Sequence, residues 1–319
     1  MRFAPRWRAY SARIGNLCSS ESNGAVRTIA KSRQKRATAS RPGVTGPQRP
    51  SSNATPLTSE GEWWSRYFDA LYLREYEPLF TLERDRQEVA RLLDILGLPD
   101  GARLLDVPCG QGRHSHLLAE AGFDVDGLDL STELLGHARA RGMGARLRYH
   151  RGDMRALPSE WTGQFDAVLN LFTSFGFFTD PSDDRAVVAQ FARVLRPGGT
   201  LVWHGGSRDG VMARFLERDW WETEDGTMHT QERRFDPLSG VLSVESHWSG
   251  PDGAGKREHR IRLYTATRLA ELCADADLIV EAAYDGWRDR PLTRRSTEML
   301  LVARKEGEDR ELPAPQSRR

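Results

Sequence analysis

Hydrophobic and polar positions along the chain change period several times, and each change marks an element. Between Glu60 and Phe80 the residues Trp63, Trp64, Tyr67, Phe68, Leu71, Tyr72 and Tyr76 fall at helical spacings, an aromatic stripe of the kind that packs a core. Val89, Leu92, Leu93 and Leu96 follow at i, i+3, i+4 and i+7, and Gly97 and Pro99 stop that helix. Short apolar segments then alternate with amphipathic ones. The order is strand 102–108, helix 113–121 stopped by Gly122, strand 123–129, a helix from the Ser131 cap, strand 146–151, strand 165–171, and a helix carrying Val187, Val188, Phe191 and Leu195. "RPGG", Arg196 to Gly199, turns the chain into "TLVWH". Alternation of this kind predicts a parallel sheet wound with helices on both faces.

Residues 207–264 break the alternation. In "VLSVESHW", Leu242, Val244 and Trp248 oppose Ser243, Glu245 and His247 at period two, with "DPLSG" before and "GPDGAG" after, and "HRIRLY" alternates again. This predicts a small antiparallel sheet inserted after the fifth strand. A helix over 266–276 and strands over 278–284 and 298–304 complete the body, the last two close enough to pair antiparallel. No internal repeat is visible.

Composition changes the picture at the ends. The net charge of +1 hides an asymmetry, because residues 1–59 hold eleven Lys and Arg against the single acid Glu21, leaving −9 on the rest. A body that acidic is a poor phosphate-backbone binder, so no nucleic-acid partner is expected. Rich in Arg, Ser and Ala and without periodicity, residues 1–59 read as a disordered basic tail, as an organellar transit peptide, or as sequence upstream of the true start. Residues 306–319 read as a second tail, which leaves 60–305 as the folded body with 207–264 inserted in it. Cys18, Cys109 and Cys273 are odd in number and widely spaced, which fits neither a disulfide framework nor a metal site and favours a reducing, cytoplasmic compartment. No apolar run approaches the roughly 18 residues that span a bilayer, so no membrane association is expected.

The chemistry concentrates in "LLDVPCGQGRHSHLLAEAGFDVDGLDLS", residues 104–131. In a wound sheet the ligand lies outside the carboxyl ends of the strands, where strand order reverses. The first strand ends at Asp106, and Gly110 and Gly112 turn the chain into a helix, glycine being the residue that lets a ligand approach the backbone. Asp129 ends the second strand and can accept from both hydroxyls of a ribose, so an adenosine derivative is expected. A dinucleotide would want a third glycine where Ser115 stands. Asp106 would repel a pyrophosphate and suits a ligand bearing an ammonium or a sulfonium. Taken singly, Asp129 also reads as a helix cap, Asp153 as a turn acid, and Arg113 and His114 as solvated first-turn residues.

The ordered segments "LLDVPCGQGRHS", "VDGLDLS", "GDMRALP", "FDAVLNLFTSFGFF", "VLRPGGTLVW" and "RLYT" resemble the class I S-adenosylmethionine-dependent methyltransferases, and within them a bacterial small-molecule branch, over roughly residues 62–305. The resemblance implies a doubly wound, Rossmann-like seven-stranded sheet whose final strand is antiparallel. It implies that Asp106, Cys109, Gly110, Gln111 and Gly112 surround the methionine part of the cofactor, with Asp129 and Leu130 at the ribose. Asp153 and Met154 would hold the adenine, Asn170, Leu171 and Phe172 would lie beside the methyl, and Tyr67 and Tyr72 would close over the cofactor. Pro108 departs from the glycine common in the family and shifts the expected loop entry.

Methyl transfer from a sulfonium is an in-line displacement, in which the protein supplies positioning and excludes water. His204, ending the fifth strand, is the candidate base for a hydroxyl or protonated amine, with His150 behind it, and each also reads as a structural histidine. The strand-end "NLFT" lacks the Pro-Pro-aromatic segment used on nucleobase amines, which leaves N or O of a small molecule. The insertion should face the methyl, with Asp219, Trp220, Trp221, Arg262 and Tyr264 as lining, the tryptophans caging an amine or stapling the insertion to the body. A nicotinamide-dependent oxidoreductase and a catalytically silent methyltransferase-like module remain as alternatives at this level.

Overall fold

The computed structural model describes residues 63–76, 79–223, 225–251 and 253–307. The expected basic tail 1–59, and the end of the chain from 308, lie outside the described residues. The aromatic stripe forms two short helices, α1 (Trp64–Tyr67) and α2 (Ala70–Tyr76). A third, α3 (Leu82–Leu96), opens on a Thr81 cap and closes on Gly97 in the left-handed region, φ 54°.

The wound body follows as β1 (Arg103–Asp106), α4 (Arg113–Glu120), β2 (Asp124–Asp129), α5 (Thr132–Arg141), β3 (Leu147–Arg151), β4 (Phe165–Asn170), α6 (Pro181–Val194) and β5 (Leu195–Gly206). After the short α7 (Arg208–Met212) come β6 (Arg218–Glu222), β7 (Met228–Asp236), β8 (Val241–Gly250) and β9 (Gly253–Arg262), then α8 (Ala266–Ala274), β10 (Leu278–Tyr284) and β11 (Glu298–Lys305). These bounds fall within a few residues of those read from the periodicity. "RPGG" is looped out within β5, because Phe165 faces Leu195 while Ala167 faces Thr200.

Seven strands form one sheet in the order β10-β11-β5-β4-β1-β2-β3, parallel except for β11, which runs antiparallel to both neighbours. The order reverses between β1 and β4, so the crevice lies at the carboxyl ends of those two strands. Both faces are covered, which is why the strands read as near-continuous apolar runs. Leu104 packs with Leu118, Val125 and Leu169 on one face, and its neighbour Leu105 with Val168, Phe191 and Leu201 on the other. The insertion is a separate four-stranded antiparallel sheet, β6-β7-β8-β9. Its root packs through Val211, Ile261 and Leu263. Among the described residues no helix is long and apolar enough to cross a membrane.

Candidate functional site

Two cavities open at the carboxyl end of the sheet. The smaller, about 740 Å³ of empty space with open solvent included, is walled by Gly110 and Gln111 after β1, Asp129 and Leu130 after β2, and Asp153 and Met154 after β3. Tyr72 and Phe68 from the amino-terminal helices close it. Strand ends that lie far apart in sequence therefore meet at one crevice. The loop glycines act differently. Gly110 has φ 56°, and a Cβ there would point into open space beside the cavity. Gly112, φ 73°, does not line the cavity, and a Cβ would collide with the Tyr149 hydroxyl. The expectation that both keep the backbone clear for a ligand is not met by Gly112, whose smallness serves packing against Tyr149.

Gly110 N–H donates to Asp129 Oδ2 at 2.8 Å, and Ser131 N–H donates to Asp129 Oδ1 at 2.8 Å. Asp129 is not the helix cap. That position belongs to Ser131, whose hydroxyl accepts from Leu134 N–H and donates to the Phe68 carbonyl at 2.7 Å, tying the amino-terminal helices to α5. Burial raises the Asp129 pKa above the ordinary carboxylate value. Asp106 lies behind the loop, almost fully buried, where Ser115 Oγ donates to it at 2.5 Å. Burial raises its pKa to about 7, against the opposing pull of that hydrogen bond and of the Arg113 charge. Cys109 is likewise buried, which pushes its thiol well above its ordinary value and leaves it a packed group.

Asp153 accepts from Arg155, both from its backbone N–H at 2.8 Å and from its guanidinium at 2.7 Å. That guanidinium lies 4.9 Å from the Trp64 ring. Asn170 is fully buried and donates to the Val107 carbonyl at 2.8 Å, and Leu171 is buried beside it. Neither lines either of the two cavities, whereas Phe172 lines the larger. Phe172 and Thr173 occupy the left-handed region at φ 55° and 59°, costly for residues with a side chain and common where a strand end is shaped for function.

The larger cavity, about 1390 Å³ with open solvent included, shares Phe68, Tyr72 and Phe177 with the smaller one. Tyr67, Phe172, Thr173, Thr297 and Glu298 wall the body side. Asp219, Trp221, Gln231, Arg233 and His259 wall the insertion side. Tyr67 Oη lies 3.1 Å from His259 Nδ1, and the Arg257 guanidinium sits 3.7 Å over the Tyr67 ring while donating to the Tyr67 carbonyl. The amino-terminal helices are thus clasped to β9. Burial, followed by the charges of Arg257 and Arg233, lowers the His259 pKa to about 4.

Several residues expected at the site are placed elsewhere. Trp220 is mostly exposed and lines neither cavity, whereas Trp221 lines the larger one and also stacks on His229 with ring centroids 5.0 Å apart. Arg262 and Tyr264 turn away from the cavity onto the fully buried Asp184, at 2.7 and 2.6 Å. They fasten the insertion to α6. Arg113 and His114 are neither solvated nor cavity-lining, since Arg113 binds Asp85 and Glu88 of α3 at 2.5 and 2.8 Å and His114 meets Glu88 at 2.7 Å. His150 is held by Asp126 at 2.9 Å.

His204 is 1% exposed and lines neither cavity. Its Nδ1 accepts from Phe172 N–H at 3.3 Å, which puts the ring proton on Nε2 and leaves no lone pair for an acceptor. As a base in direct contact it is therefore excluded. Sequence reading missed His259, although it shares the β9 parity of buried Ile261. It also missed Glu298, a lone acid at the start of a strand, which no spacing or motif distinguishes.

The fold and the donor set fit the cofactor. Acids stand at the ends of β2 and β3, Leu130, Met154 and Phe178 lie among them, and Gly110 leaves a cradle. A family model described as a methyltransferase domain matches residues 104–199. Over 130 residues the chain is 41% identical to the dTDP-3-amino-3,4,6-trideoxy-alpha-D-glucopyranose N,N-dimethyltransferase of Streptomyces venezuelae, covering 39% of this chain and 53% of that enzyme. It is 30% identical over 202 residues to the dTDP-3-amino-3,6-dideoxy-alpha-D-glucopyranose N,N-dimethyltransferase of Streptomyces fradiae, covering 57% of this chain and 72% of that enzyme. The match thus spans about half the length of the first relative and nearly three quarters of the second. Among solved structures, the S-adenosylmethionine-bound amino pentose methyltransferase CalS10 from Micromonospora echinaspora superimposes with a TM-score of 0.54 at 29% identity, covering 74% of this chain and 96% of that one.

Proposed function

Because the chain belongs to the S-adenosylmethionine-dependent methyltransferases, we propose that it methylates an amine nitrogen of a small polar acceptor held in the larger cavity. The adjacency of the two cavities carries this reading, since Phe68, Tyr72 and Phe177 line both and a cofactor in one would lie against the same side chains as an acceptor in the other. The amine in preference to a hydroxyl is supported by the two relatives, both named as sugar N,N-dimethyltransferases. Membership in the family sets aside the nicotinamide-dependent alternative.

When bound, the cofactor supplies an activated methyl group on a sulfonium. The Gly110–Gly112 loop would take the methionine part, Asp129 the ribose hydroxyls, and Asp153 with Met154 the adenine. Asp106 would answer the ammonium through the loop. Tyr67, Tyr72 and Phe172 line the larger cavity and would exclude water from it. Positioning of this sort can lower the barrier by about 7–11 kcal/mol. A cytoplasmic location without nucleic-acid partners completes the reading, resting on the free, buried Cys109 and Cys273 and the acidic body.

The test is to incubate the full chain with S-adenosylmethionine and a panel of free and nucleotide-linked amino sugars beside their hydroxyl counterparts. Gain of a methyl group by the amines, followed by mass spectrometry, is the expected result. Methylation confined to the hydroxyl compounds would overturn the amine reading, and absence of any methylated product with the cofactor bound would favour the silent module.

A further inference from the structure

We propose that Glu298 is the residue that orients the acceptor amine, and that His204 positions its carboxylate from behind. The proposal rests on the reading that the larger cavity receives the acceptor. Its basis is the placement of Glu298 in the sheet. Because β11 runs antiparallel to β5, its first residue lies at the carboxyl end of the parallel strands, with Glu298 paired to Gly206. There Glu298 lines the same cavity as Phe172 and Thr173, the strained end of β4, while its side chain stays only 12% exposed. The side chain is held against Gly286, where an added Cβ would come within 2.9 Å of Oε2. Asp219, the other acid of this cavity, stands on the insertion beside the Arg233 charge, which makes it the poorer partner for a cation.

His204 supplies the second half. With Nδ1 accepting from Phe172 N–H, its Nε2–H lies 3.7 Å from Glu298 Oε2, beyond hydrogen-bond range, and Nε2 has no hydrogen-bond partner among the described residues. The ring lies against Trp287 with centroids 4.7 Å apart and the planes tilted by 36°. A small approach of the carboxylate closes this contact. Phe172 N–H, the imidazole and the carboxylate then form one relay that fixes Glu298 relative to the end of β4.

A carboxylate so placed accepts the N–H bonds of a neutral amine and leaves its lone pair facing the crevice. That pair forms the new N–C bond as the C–S pair returns to sulfur, and the extra proton of the resulting methylammonium passes to Glu298 and on to water. The same charge repels an acceptor that is itself a carboxylate, so Glu298 also selects against anionic acceptors.

The experiment compares wild type with Glu298→Gln, Glu298→Asp and His204→Phe, using 3-amino-3-deoxyglucose and glucose as paired acceptors and calorimetric titration of S-adenosylhomocysteine as the check on the cofactor site. Glu298→Gln should raise the amine KM at least tenfold and lower kcat, with S-adenosylhomocysteine affinity within twofold of wild type. Glu298→Asp should recover part of that loss. His204→Phe, which keeps the ring against Trp287, should raise the amine KM three- to tenfold without weakening S-adenosylhomocysteine. Wild-type turnover of the amine with Glu298→Gln equally active would overturn this proposal and leave the amine reading standing. Wild-type turnover of glucose alone would overturn both.

Discussion

The backbone N–H of Gly110 and the carboxylate of Asp129, 19 residues apart, meet at 2.8 Å. The contact ties the loop after β1 to the end of β2, and the other carboxylate oxygen holds Ser131 at the start of α5. Asp129→Ala should therefore have two effects at once. Loss of a charge-assisted acceptor for a ribose should cost about 1.5–3 kcal/mol in S-adenosylhomocysteine affinity, or roughly one to two decades. Two backbone donors left without their acceptor should lower folding stability by about 1–3 kcal/mol. Calorimetric titration beside urea unfolding measures both, and unchanged affinity would mean that the acid serves the loop alone.

Asp106 predicts a proton linkage. Its folded pKa of about 7 lies above the ordinary 3.8, so its neutral form favours folding below 3.8 and that contribution is lost as the pH rises through 7. A cationic ligand favours the ionised form and must expel a proton below pH 7. Affinity for S-adenosylmethionine should rise by up to about tenfold per unit on the acid side and flatten above neutrality. Titration heats at pH 6 in buffers of different ionisation enthalpy should differ for wild type and coincide for Asp106→Asn. Identical wild-type heats would contradict the linkage.

The two loop glycines should separate stability from binding. In Gly112→Ala the new methyl meets Tyr149 at a left-handed φ, so unfolding free energy should fall by about 2–4 kcal/mol, strain and overpacking together. Gly110→Ala meets nothing nearby and should lose only about 1–2 kcal/mol of stability, yet its methyl enters the space beside the cavity and should weaken S-adenosylhomocysteine more than Gly112→Ala does. Equal effects of the pair on binding would count against the cradle.

Asp184→Ala strands the Arg262 guanidinium in a buried site. Removing one member of a buried pair costs about 3–5 kcal/mol, read as a lower urea midpoint. Arg262 keeps the carbonyls of Phe178 and Thr179, so affinity for S-adenosylhomocysteine should change little. A large loss of cofactor affinity without loss of stability would return Arg262 to the site.

Much of this was legible in the chain because a strand covered on both faces announces itself by apolar content, and the alternation of strands and helices set the topology. The strand-end acid Asp129 followed from that frame, and Asp153 from the family resemblance. Side-chain direction did not follow. Residues 261–264 are buried without a break, so period-two parity says nothing about which of them face the cavity, and Arg262 and Tyr264 proved to be fasteners. His204 stands at a strand end as expected, but a backbone donor from Phe172 decides its tautomer and its reach. Glu298 becomes visible only once the last strand is known to run antiparallel beside β5.

The insertion leaves and rejoins the body at a single point. Ser207 and Tyr264 form a parallel bridge, and Arg208 N–H donates to the Tyr264 carbonyl at 3.1 Å. A segment whose two ends are pinned side by side can be lengthened, shortened or exchanged with no change in the separation that the remaining chain must span. The span 207–264 also begins after the family match stops at Gly199. Transplanting it between relatives would bring a new acceptor wall, provided that the β9 contacts of Arg257 and His259 with the amino-terminal helices travel with it.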